Sequence, residues 1–172
     1  SAEAVGPIDA VLLSHDHPFN NHDHAGRSLL ARAKVVLTTT AGAERLGGNA
    51  VGLAPWTSMD LSYKRGCLRV TATPARHGPA DGDRGPVIGF LLTDSATPES
   101  PETPGIYVSG ATVWYETLTA ITNRADVQVA VLFLRPAPAP DVGPPHPPFA
   151  AAQRVPLTTE SLSPLHGPHT RR

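Results

Sequence analysis

The chain has 172 residues and a formal net charge of −1, with 40% hydrophobic and 17% charged residues. That length gives one domain with a real core and excludes two ordinary ones; no apolar stretch approaches the roughly 20 residues of a membrane span. With no basic surplus to neutralise phosphates, no nucleic-acid partner is expected.

In chain order, IDAVLLS (8–14) is a short, nearly continuous apolar run with β-branched residues, which predicts a buried strand. A histidine-rich loop follows, then AGRSLLARA (25–33) as a short helix. KVVLTT (34–39) predicts a second buried strand, and AGAERLGG (41–48) a helical turn closed by glycine. CLRVTAT (67–73) alternates and predicts a half-exposed strand ended by Pro74. PVIGFLLTD (86–94) and GIYVSG (105–110) predict two more strands, separated by a polar loop. Residues 112–124 predict a helix with Val113, Trp114, Leu118 and Ile121 on one side. DVQVAVLFL (126–134) predicts a strong final strand. Strands interleaved with short helices give an α/β, layered fold class, and the neighbouring pair 67–73 and 86–94 points to a mixed sheet.

The nineteen prolines are uneven: ten fall between Pro136 and Pro168, in text such as RPAPAPDVGPPHPPF. Proline neither donates to a ladder nor continues a helix, so residues 1–134 are expected to form the domain and 135–172 a proline-rich, loosely ordered tail. Cys67 is alone, which rules out an intramolecular disulfide and favours a reducing compartment, so the expected location is cytoplasmic. Ser1 reads as a processing boundary, with the natural chain beginning earlier.

The densest chemical signal is SHDHPFNNHDHAGR (14–27), which holds His15, His17, His22 and His24. Side chains two apart along an extended segment point the same way, so His15 and His17, directly after a strand, can present two imidazole nitrogens to one ion. A catalytic zinc uses about three protein ligands and keeps one position for water. TATPARHGP (71–79) ends another strand and presents His77, a possible third ligand, beside Arg76. The alternative is a solvated loop whose histidines titrate freely.

The ordered set DAVLLSHDH, TATPARHGP, IYVSGATVWYETL and DVQVAVLFL resembles the metallo-β-lactamase superfamily, most closely the branch similar to ascorbate-6-phosphate lactonases and related metal-dependent hydrolases. The resemblance spans about residues 8 to 134. It implies a partial αββα sandwich with mixed sheets. It also implies a metal cofactor, zinc or manganese, and hydrolysis of an ester, lactone, amide or phosphodiester bond in a small-molecule substrate. The chemistry follows from the acidification of a water and polarisation of the scissile oxygen by the ion. His15 and His17 match the first two histidines of the family's H-x-H-x-D-H signature, and His77 matches the histidine after the middle strand.

Other positions depart from the pattern. Without an insertion, Asn20 and Asn21 fall where relatives carry Asp-Asn or Asp-His; with a longer loop, Asp23 and His24 supply the acidic and histidine ligands. Ala111 stands where relatives have an aspartate that bridges two metals, which favours one ion over two. The expected flanking strands and the final histidine are missing, with His166 the nearest substitute. Beside the altered position, Trp114 and Tyr115 are candidates to line a substrate pocket, and Arg76 is a candidate for an anionic substrate group; core packing and a surface ion pair are the ordinary alternatives. Three functions therefore stand open: a metal-dependent hydrolase, a degenerate relative without activity, and an interaction protein using its proline-rich tail. Missing flanking strands would leave sheet edges that a second copy could cover, giving a homo-oligomer.

Overall fold

The computed structural model describes residues 6–16, 24–78 and 85–133. The expected tail and its boundary, together with His17, Asn20, Asn21, His22, Asp23 and His166, lie outside the described residues.

The fold is mixed α/β, built on two sheets. Strands β1 (Ile8–Leu12), β2 (Ala33–Thr39) and β3 (Ala50–Leu53) form a parallel sheet in that order. Strands β4 (Ser58–Tyr63), β5 (Gly66–Pro74), β6 (Ile88–Asp94), β7 (Pro104–Val108) and β8 (Asp126–Val131) form the second. Its first four strands pair antiparallel and β8 joins β7 in parallel, so this sheet alone is mixed.

The period-two alternation of a strand assigns each residue to a face. Leu37 and Leu53 of the first sheet meet Val70, Ala72, Ile88 and Phe90 of the second in the inter-sheet core. Thr38 points the other way, toward helix α2 (Thr40–Leu46), and Leu91 and Tyr107 pack on Leu118 and Ile121 of the 3-10 helix Glu116–Asn123. With α1 (His24–Arg32) beside β2, the order of layers is helix, sheet, sheet, helix. Among the described residues no helix is long and apolar enough to cross a membrane.

Several sequence expectations need correction. The strand at 67–73 is not half exposed: Val70, Thr71, Ala72 and Thr73 are fully buried, because the first sheet covers one face and the 3-10 helix the other. The segment 112–124 is not one helix with four residues on one side. Val113 N–H donates to the Arg76 carbonyl and Thr112 Oγ1 accepts from the Arg76 N–H, which holds this β-branched pair extended. Helical turns begin only at Glu116, and Val113 and Trp114 are left exposed. Strands β3 and β4 were not foreseen.

The last strand ends at Val131 and is mostly exposed. Five strands overhang three here: Ile106, Val129 and Val131 share a face that the first sheet does not reach.

Candidate functional site

The chain leaves β1, β5 and β7 at one edge of the sandwich, and the three exits are tied together. The Leu13 N–H donates to the Leu37 carbonyl, which prolongs the β1–β2 ladder by one step. The next carbonyl, Ser14 O, then accepts from Ile88 N–H at 3.0 Å, so the end of β1 is bonded to the start of β6 in the opposite sheet. Gly110, after β7, closes the junction. It adopts φ +59°, and a Cβ there would lie 2.6 Å from both Ile88 O and Ser14 Cβ. Only glycine fits both the left-handed backbone and the contact.

This junction fixes His15. The residue is only 4% exposed, and its Nδ1 lies 2.9 Å from Ser14 Oγ. The contact with the Ser14 hydroxyl orients the imidazole ring, as a polar partner does for a ligating histidine. Asp16 follows, also buried, and both its oxygens accept from Arg45 of α2, at 2.7 Å from Nε and through Nη2. The same bonds hold the Arg45 guanidinium above its ordinary pKa. Asp16 thus spends its charge on anchoring the loop.

His77 arrives from the end of β5, far along the chain, and its ring centroid lies 4.7 Å from that of His15 with the planes at 53°. An ion about 2.0–2.1 Å beyond each of two nitrogens at a tetrahedral angle places imidazole centroids roughly 5 Å apart. The observed centroid separation is of that size. Among the described residues no third His, Cys, Asp or Glu side chain completes a metal-binding group with them. His17 and Asp23 lie outside the described residues, and of His24 only the backbone, opening α1, is described. Ala111 follows Gly110 at the same edge and carries only a methyl group.

Beside this edge lies a cleft of about 610 Å³, within the range of small-molecule sites. Thr39, Thr40 and Leu53 form part of one wall, and Arg76, Val87 and Tyr115 part of the other. The Arg76 guanidinium lies 4.6 Å over the Tyr115 ring. Burial pushes the Tyr115 phenol above its usual pKa, with Arg76 opposing. Trp114 turns outward and is 66% exposed, so of the two adjacent aromatics Tyr115 faces the cleft. Sequence reasoning missed the Ser14–His15 and Asp16–Arg45 contacts; the buried charge in SHDH was their only signal.

No protein-family model matches the chain, and no curated protein does. Similar solved structures include the following two. One is described as Igni18, a novel metallo hydrolase from the hyperthermophilic archaeon Ignicoccus hospitalis. It shares 22% identity over 71% of this chain and 50% of its own, with a TM-score of 0.49. The other, a variant of the CmlA beta-hydroxylase, shares 17% identity over 60% of this chain and 21% of its own, with a TM-score of 0.41. The chain thus spans half the length of the first and about a fifth of the second.

Proposed function

We propose that the chain is a metal-dependent hydrolase of the metallo-β-lactamase type. In this reading His15, His17 and His77 hold one zinc or manganese ion, and an ester, lactone or phosphodiester-type bond of a small molecule is cleaved. The observation that supports it most is the meeting of the His15 and His77 rings at 4.7 Å, from two strands in opposite sheets. An ion held there supplies an acidified water and a polarised scissile oxygen. The chain's own residues do the rest. Ser14 orients the His15 ring, the Asp16–Arg45 pair keeps the loop from swinging away, and Arg76 with Tyr115 orients the substrate in the cleft.

The test is metal titration of protein purified without an affinity metal, followed by a panel of activated esters, lactones and phosphodiesters. One ion per chain and turnover lost on chelation are expected, with His15→Ala and His77→Ala each weakening the metal at least tenfold, the scale of a lost ligand or its support. A second reading, a degenerate relative without hydrolase activity, is favoured by Ala111, which leaves no carboxylate at the bridging position. No stoichiometric metal, with stability unaffected by chelator, would select it over the hydrolase, as would stoichiometric metal without turnover on any of the panel.

A further inference from the structure

We infer that the cleft beside the paired histidines selects small anions with an apolar body, and that Arg76 is the residue that recognises the charge. The inference deepens the hydrolase reading and rests on it for the word substrate; the binding claim stands on the cleft alone. Among the described residues lining the cleft, Arg76 carries the only charge. The rest of the lining is threonine hydroxyls and apolar surface, including Leu53, Val87, Ile88 and Tyr115. No carboxylate among the described residues pairs with Arg76, whereas Arg45, Arg69 and Arg124 each have one.

Its backbone is fixed on both sides, by the Thr112 hydroxyl on its N–H at 3.0 Å and by Val113 N–H on its carbonyl at 2.9 Å. The Tyr115 face then orients the planar guanidinium and replaces part of its water. A guanidinium held this way offers parallel N–H donors that match a carboxylate or a phosphate bidentately. The apolar lining of Leu53, Val87, Ile88 and Tyr115 in the same cleft is there to take the apolar body of an anion seated on it.

The test uses phenylacetate, its neutral isostere phenylacetamide and phenyl phosphate, all titrated into the full chain in EDTA and followed by backbone amide shifts. Saturable shifts at residues 75–77 and 115 with both anions are expected, and at least tenfold weaker binding of the amide. Arg76→Gln should lose tenfold or more for the anions and nothing for the amide, while Arg76→Lys should keep part of the preference. Arg76 is exposed and among the described residues its side chain makes only the stacking on Tyr115, so an unchanged amide spectrum outside the cleft verifies folding of the variants. Equal binding of acid and amide, wild-type anion binding by Arg76→Gln, or no saturable binding in the millimolar range would overturn the inference. Because no metal is present, its failure is separate from that of the hydrolase reading: anion selectivity without metal binding elsewhere sinks only the latter.

Discussion

Replacing Gly110 with alanine perturbs the junction on which the histidine pair depends. Two costs add. The backbone holds φ +59°, a region that costs a residue with a Cβ about 1 kcal/mol or somewhat more. The new methyl would also stand 2.6 Å from the Ile88 carbonyl and 2.6 Å from Ser14 Cβ. Both are main-chain or nearly main-chain atoms that cannot rotate away, and overpacking of this kind costs about 1–3 kcal/mol. The expected loss is therefore about 2–4 kcal/mol, measured by urea denaturation. Gly48 supplies the control. It has the same φ, +59°, with nothing within 4 Å of its would-be Cβ, so Gly48→Ala carries the backbone term alone. Relief of the clash must move Ser14, so metal affinity should fall in Gly110→Ala and hold in Gly48→Ala. Equal losses in the two variants would refute the claim that the end of β1 and the start of β6 are in rigid contact.

Three further outcomes are expected. Phe90, 1% exposed in the inter-sheet core, should cost about 3–5 kcal/mol on Phe90→Ala by denaturant titration; a loss under 1 kcal/mol would mean that the two sheets are not packed there. Burial pushes the Tyr107 phenol up to about 12, with a nearby Thr73 hydroxyl opposing. The folded state therefore keeps a proton that the unfolded chain releases near pH 10, and stability should fall as pH rises from about 10 to 12; in Tyr107→Phe that pH-dependent loss should shrink, and an unchanged profile would assign it elsewhere. Glu99 accepts from Thr71 Oγ1 at 2.7 Å and from Arg124 at 2.6 Å, and Arg124 stacks on Trp56 at 4.4 Å; a double-mutant cycle on Glu99→Gln and Arg124→Met should show coupling of about 0.5–3 kcal/mol, and additivity would contradict it.

What the sequence made legible follows burial. The segments that became β1, β2, β6 and β7 stand out as apolar or β-branched runs because covered faces demand them, and the antiparallel pairing of β5 with β6 follows from their adjacency. Strand β3 did not stand out because it is four residues long and carries Gly52, which the approach of α2 requires: a Cβ there would lie 2.7 Å from Thr40 Cα. Strand β4, SMDLSY, has only two half-buried positions at an edge, too few for a pattern. At the site, the proximity of His15 and His77 was legible from two strand ends alone. The choice of Tyr115 over Trp114 was not, because adjacent aromatics diverge by an extended backbone whose anchor, Arg76, lies far off in sequence. Nor could spacing reveal that Asp16, the acidic residue inside the H-x-H pair, is committed to Arg45.

The most direct test of the central claim is an imidazole nitrogen spectrum of the labelled chain, recorded while zinc is added to one equivalent. One ring-nitrogen resonance of His15 and one of His77 should move together into the metal-ligated range and saturate at one ion per chain. Separate titration of the two rings, or no change in either, would contradict a shared ion at this edge of the sandwich.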